Sequence, residues 1–512
     1  MRVLFITLCF SLVSCGVLAQ QRGPIVQLKS GRIEGEYKHH VDSFLGIPYA
    51  RAPIGQLRWQ RPLSVVPWKG IRLATSFGPG CMQKPYKGDM APPVKAFSED
   101  CLTVNVWRPH HFSAPLPVMV WVHGGGFVNG GSSPAIYSGA GFARSGVILV
   151  SFNYRLGRFG FFAHPSLNDN LFRGNYGFMD QIKVLRWVQD NIMSFGGDPN
   201  NVTLFGESAG GYSGNMLLTS HYSRNLFNKA IIESGNGRYN ITPHLTWKPA
   251  SDTGVDFARE YGITGNGKQA LTKLRALSAK EILGGVNLSN FKSLDKNYAG
   301  PMIDGRIVSE PPQQAYRSGD YMHIPVLIGA NSMDFGGVEG HPKTRDAVFR
   351  QYGMDPNIAN QVYPKDMSVN VLNDRIAMQK LMIEPARFVA KALSAHHTPV
   401  WEYRFGYIAT EKQRKWSGAI HASEIPYVFN TLNAAYPKVV TTSDQKMAKL
   451  MHQYWVNFAK TGNPNGAGLP EWPQYRRQQD RLFWFSPKGV ANSRAIVDPQ
   501  KVQLDLVAKT QH

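Results

Sequence analysis

At 512 residues, with 43% hydrophobic and 18% charged, the chain has ordinary globular composition, which excludes wholesale disorder. The length suits one large α/β domain with insertions, or two to three average domains. The formal charge of +21 and pI near 9.7 would permit attraction to anionic polymers, but the basic residues are scattered and never interleaved with aromatics, so nucleic acid is not an expected partner.

The first stretch, "MRVLFITLCFSLVSCGVLAQQ", places Arg2 before an apolar run and a small-residue end, the pattern of a secretory signal. Two processing sites compete. Cleavage after Val17-Leu18-Ala19 would leave a mature chain of residues 20–512, secreted or periplasmic. "LVSC" instead suits lipid attachment at Cys15. The run is short and no basic stop follows, so it is not read as an anchor. No other long apolar run occurs, and the mature chain is expected to have no transmembrane segment. Cleavage at Ala19 removes Cys9 and Cys15, leaving Cys81 and Cys101, an even pair expected to form a disulfide in an exported chain. No cysteine or histidine cluster has ligand spacing, and no metal is expected.

Further along, "PVMVWVHGGG" (Pro117 to Gly126) and "VILVSFNYR" (Val147 to Arg155) are near-continuous apolar runs, as strands buried on both faces should be. In "GFMDQIKVLRWVQDNIMSFGG", Ile182, Leu185, Val188 and Ile192 fall at helical spacing, and Gly196 and Gly197 end the helix. "NVTLF" is the next strand. Later runs, "NKAIIESG", "IPVLIGAN" and "PVWEYRF", continue the alternation. Strand and helix in turn imply an α/β fold with a mostly parallel sheet covered on both faces. Two polar, glycine-punctuated segments, from about Asn240 to Gln314 and from about His341 to His397, read as helical insertions into a single domain.

Chemistry enters at Gly206-Glu207-Ser208-Ala209-Gly210. A five-residue match of this form arises often by chance. With a strand before it and small residues then helical spacing after it, Ser208 reads as a nucleophile on a sharp, strained turn. A serine hydroxyl needs a base, and the base an orienting carboxylate. Functional residues of open parallel sheets gather beyond the carboxyl ends of strands. Beyond the strand Ile324 to Gly329 the nearest carboxylate is Asp334, with Glu339 as its rival. Beyond Pro399 to Phe405 comes "KQRKWSGAIHASEIPYVF", which holds His421 among small neighbours. His396 and His397 precede that strand, at the wrong end of the sheet, and His452 sits inside a helix pattern as a packed or surface residue. The glycines of "HGGGF" (His123 to Phe127) follow a strand and can offer backbone N–H groups to an oxyanion.

With these residues assembled, the chain resembles the type-B carboxylesterase/lipase family, which includes para-nitrobenzyl esterases and, more distantly, cholinesterases. The resemblance runs from "FLGIPYARAPIGQLRW" to "YWVNFAKTGNPN" and includes "SEDCLTVNVW", "FGGDPNNVTLFGESAGG" and "HASEIPYVF". It implies an α/β-hydrolase fold, ester hydrolysis through an acyl-enzyme without a cofactor, and a small-molecule ester as substrate. It also implies Ser208 as nucleophile, His421 as base, N–H donors at Gly125, Gly126 and Ala209, and a Cys81–Cys101 bridge. The family's acidic motif reads Gly-x-Asn-x-Asp-Glu-Gly; here "GANSMDF" puts Asp334 at the glutamate, one methylene shorter, with Met333 and Phe335 on either side. The loop between the two cysteines lacks the tryptophan that stacks on choline in cholinesterases. It carries only Tyr86 and Phe97, read as loop packing, so a site for quaternary ammonium is not expected. The same machinery could cut amide, carbamate or polyester bonds, since specificity lies in insertions. A non-catalytic binding relative would have lost the nucleophile. Asn201, Asn240 and Asn287 head glycosylation tripeptides.

Overall fold

Apolar runs with no polar alternation can be buried only if both faces of a sheet are covered. In the computed structural model they form the middle of an eleven-stranded sheet. The described residues are 23–511, apart from 87, 89–90, 92–95, 169–172, 239–245, 290–297 and 337–339. The stretch read as a secretory signal, with Cys15, as well as Asn240 and Glu339, lies outside them.

Numbered along the chain, the strands of this sheet are β1 (Glu36–Lys38), β2 (Val41–Pro48), β3 (Thr103–Pro109), β4 (Leu116–Val122), β5 (Ile148–Phe152), β6 (Gly197–Glu207), β7 (Lys229–Glu233), β8 (Val326–Asn331), β9 (Val400–Phe405), β10 (Arg481–Phe485) and β11 (Arg494–Val497). Their spatial order is β11-β10-β9-β8-β7-β6-β4-β5-β3-β2-β1. Every pair from β5–β4 across to β9–β10 is parallel. The outer strands β1 to β3 on one side and β11 on the other are antiparallel. The sheet is thus mixed, with the parallel core expected of an α/β-hydrolase.

Four helices hold the sheet from its two sides: α1 (Tyr176–Asn191), α2 (Ala209–Thr219), α3 (Glu384–Ala395) and α4 (Thr442–Thr461). Strand pleating sorts the core between them. Val118, Val120 and Val122 of β4 join the cluster containing Leu185, Leu217 and Val389 of α1 to α3, whereas Met119 and Trp121 join Met447 and Trp455 of α4. A left-handed glycine, Gly196 at φ 82°, stops the turn that follows α1, as the paired glycines led one to expect. At the other face, Thr441 and Asp444 cap α4 reciprocally. Helix α3, in the second of the segments read as insertions, packs on the sheet as an ordinary crossover between β8 and β9.

Chain order reverses around β4: β5 lies on one side of it and β6 on the other. Such a switch point opens a crevice beyond the carboxyl ends of the strands. The glycine run follows β4, and Ser208 follows β6. A Cys81–Cys101 disulfide ties the segment before β3 to itself.

Candidate active site

Strand β6 ends at Glu207 and α2 begins at Ala209, so the chain turns on Ser208 alone. Its backbone sits at φ 57°, ψ −121°, a region that costs a non-glycine residue strain and is held only by its surroundings. Ser208 N–H donates to Glu233 O at 2.9 Å, tying the turn to the end of β7. The small neighbours are a steric requirement. A Cβ on Gly210 would lie 1.9 Å from Val122 O, so only glycine lets α2 start this close to β4. Ala209 N–H, in the first turn of α2, has no acceptor within its own helix.

Asp334 follows β8 in a tight turn and is buried. One carboxylate oxygen accepts from Ser234 Oγ at 2.7 Å and from Asn331 N–H at 2.8 Å. The other accepts from Phe335 N–H at 2.7 Å and contacts His421 Nδ1 at 2.5 Å. Burial alone would raise this carboxyl, but the imidazole and the other donors hold it below its ordinary value. The shorter acid therefore reaches the histidine.

The other ring nitrogen, His421 Nε2, faces Glu207 Oε1 at 3.2 Å. Burial would lower the imidazole, yet Glu207 first and Asp334 next carry it up to about 10. In this arrangement Ser208 is not hydrogen-bonded to the ring, although both residues line one cavity of about 590 Å³. Catalytic hydrogen bonds are often long or absent without substrate and tighten when it binds.

Two further carboxyls lie behind the imidazole. Register places Glu233 directly beside Glu207 on the neighbouring strand. Burial, with Glu424 and Glu207 close by, pushes Glu233 well above the carboxylate range, and Trp455 Nε1 donates to it at 2.8 Å. Burial and Asp334 push Glu424 up to about 7. None of the three glutamates was singled out from the sequence, although Glu207 stands inside the serine motif itself.

The glycine run forms the opposite wall. Gly125 has φ 106°, and its carbonyl accepts from the N–H groups of Val128 and Asn129 at 3.1 and 2.9 Å. This folds the loop so that Gly124, Gly125 and Gly126 line the cavity with Ser208. His123 anchors the loop from behind: burial lowers it to about 4, and its Nδ1 lies 2.8 Å from Gly124 O. A neutral imidazole donating to that carbonyl fits both facts.

The rest of the cavity is mainly apolar, with Ile136, Leu288, Met333, Phe335 and Met382 on its walls. Tyr86, read from sequence as loop packing, lines it too, whereas Phe97 sits in a short strand pair away from it. His452 is buried against Val428 O and Ser145 Oγ, a packed histidine as expected, and His396 and His397 follow α3 before β9. Asn287 is buried and its amide nitrogen donates to Lys84 O at 2.7 Å, which makes it a poor glycan acceptor. No helix among the described residues is long and apolar enough to cross a membrane.

Residues 22–498 match the family model described as carboxylesterase family. The para-nitrobenzyl esterase of Bacillus subtilis (strain 168) is 35% identical over 475 residues, spanning 89% of this chain and 93% of that protein. The fumonisin B1 esterase of Sphingopyxis macrogoltabida is 33% identical, spanning 92% and 89%, and the liver carboxylesterase of Sus scrofa 32%, spanning 90% and 89%. A solved structure of PNB esterase superposes with a TM-score of 0.80 at 31% identity, covering 95% of this chain and 99% of that one.

Proposed function

The chain belongs to the carboxylesterase family and is a carboxylic ester hydrolase, and from that premise we propose that it works through an acyl-enzyme formed on Ser208. Once His421 Nε2 has released its own proton to solvent, Ser208 Oγ takes the place of Glu207 at the neutral imidazole as an ester enters, gives up its proton there and attacks the carbonyl carbon. The tetrahedral oxyanion accepts N–H donors from Gly125, Gly126 and Ala209. His421, held in tautomer and orientation by Asp334, then protonates the leaving alcohol. Water then takes the alcohol's place, gives a proton to His421 and attacks the acyl carbon, and His421 returns that proton to Ser208 Oγ as the acid leaves. No step calls for a cofactor.

The observation that carries this reading is one cavity with three features on its walls: a serine on a strained strand-to-helix turn, an imidazole bonded to a buried aspartate, and a glycine loop. The largely apolar walls favour neutral esters with a hydrophobic acyl or alcohol part. The signal-like leader and the disulfide support export, to the periplasm or medium, or tethering through Cys15.

A fluorophosphonate probe tests the nucleophile. It is expected to label the native protein and not Ser208→Ala, with hydrolysis falling on the order of 10⁶-fold; undiminished labelling of the variant rules Ser208 out. A panel of aryl and alkyl esters with matched amides and carbamates then fixes the bond, and preference for either of the latter overturns the ester assignment.

A further inference from the structure

The acid and the base come from loops far apart in sequence, yet the residues just before them run side by side. Met333 forms a parallel bridge with Ile420. Met333 N–H donates to Ala419 O at 2.9 Å, and Ala419 N–H donates in return to Ser332 Oγ at 3.0 Å. Asn331 Nδ2 donates to Ile420 O at 2.8 Å. Ser332 N–H reaches Phe405 O, at the end of β9, at 2.8 Å. Beneath the bridge lies Gly418, buried, where a Cβ would stand 2.2 Å from Met333 Cγ. The next residue on one strand of this small ladder is Asp334, and on the other His421.

We propose that the ladder between residues 331–333 and 418–420 is a latch that sets the gap between acid turn and base loop to suit an aspartate, with Ser332 as its positioning side chain. The inference rests on the triad reading above and extends it. A glutamate would reach roughly one C–C bond, about 1.5 Å, further. Asp334 has no slack to absorb that, since Ser234, Asn331 N–H and Phe335 N–H already hold both its oxygens. The latch also explains a sequence oddity. A family position that ordinarily carries glutamate can carry the shorter acid here because the backbones of the two loops are drawn together by direct hydrogen bonds.

Ser332 is the informative residue because its hydroxyl touches the base loop and no reacting atom. Asn331 is less suitable, because its amide also contacts Glu424, one of the three carboxylates that face the imidazole with Glu207 and Asp334. The experiment uses the full chain and a neutral aryl ester, with pH profiles of kcat and kcat/KM for Ser332→Ala, Ser332→Thr, Asp334→Glu, Asp334→Asn and the double variant Ser332→Ala/Asp334→Glu. Loss of the Ser332 bond is expected to lower kcat per titrated active site about three- to tenfold with KM little changed. It should also move the acid limb to lower pH, because the imidazole loses part of its hold on Asp334. Ser332→Thr keeps a hydroxyl and is expected to restore both. Asp334→Glu should be strongly impaired, and in the double variant the two losses should fall short of multiplying, since the opened gap suits the longer acid. Unchanged kcat and limb in Ser332→Ala, or strict multiplication in the double variant, overturns the latch. Full activity in Asp334→Asn overturns instead the triad reading on which it stands.

Discussion

Glu207→Gln isolates the electrostatics of the site in one isosteric change. Its carboxylate lies 3.2 Å from His421 Nε2. At that distance a unit pair is worth about 1.3 kcal/mol in water and about 5 kcal/mol at an effective dielectric constant of 20. The imidazole is 25% exposed, which places the effect toward the lower figure, or about one to two pH units. The sign follows from the ion pair: Glu207 stabilises imidazolium and so carries His421 up to about 10, and removing the charge lowers it. His421 must be neutral to accept the serine proton, so the acid limb of kcat/KM should move about one to two units to lower pH. The plateau should fall, because the same anion stabilises the imidazolium that forms in the transition state. A neutral ester whose leaving group does not titrate, assayed from about pH 5 to 11, reads both quantities. A limb that stays in place, or moves to higher pH, would refute the coupling between Glu207 and the base.

Gly125→Ala should lower kcat by about 10²–10³ while labelling at Ser208 persists in weakened form, since φ 106° and a Cβ 2.2 Å from Asn129 O force the oxyanion loop to move; wild-type kcat would remove Gly125 from the hole. Replacing Cys81 and Cys101 by alanine opens a loop with a sequence separation of 20 and should cost roughly 3 kcal/mol by chain entropy, read as a lower denaturation midpoint, with a slope equal to or steeper than the parent's because the released chain is less compact. Burial, and Asp498 after it, push Glu402 up to about 8. A carboxyl with its folded value raised contributes stability that is complete below its unfolded value near 4.3 and is lost as pH rises through about 8. Glu402→Gln should therefore gain melting temperature relative to the parent across that window, and parallel pH curves would show that Glu402 does not titrate there.

What was legible in the sequence was whatever local chemistry dictates. The unbroken apolar runs became β4 to β9, and the glycines around Ser208 proved to be clearance for α2. The topology rule led to Asp334 and His421, which the structure brings into contact. What was not legible depends on register and packing. Glu207 and Glu233 are distant in the chain, and only the parallel pairing of β6 with β7 sets them side by side. Trp455 reaches Glu233 only because α4 crosses that end of the sheet. The outermost strand escaped notice for a different reason: β1 is three exposed residues, Glu36–Lys38, with no apolar signature to read. Tyr86 looked like plain loop packing because nothing local says which way a long loop folds; the disulfide that closes the loop around it and the cavity beside it decide that.

The same distinction bears on charge. A net charge of +21 describes the far field, and it would disfavour steering cations toward the protein. The cavity has the opposite local character. Among the described residues lining it, the only charged side chains besides His421 are Glu207 and Asp334, and Glu233 and Glu424 stand behind them. Counting His421 as imidazolium, two carboxylates face one cation, so a substrate carrying its own carboxylate near the scissile bond would meet, among the described residues, acids and no lysine or arginine. Fumonisin B1 esterase is a relative by sequence, but the described residues of these walls supply no basic partner that would recommend an anionic ester here. Selectivity for neutral over carboxylated esters should therefore persist at high salt, where the long-range attraction of the basic surface is screened and the short-range repulsion inside the cavity is not.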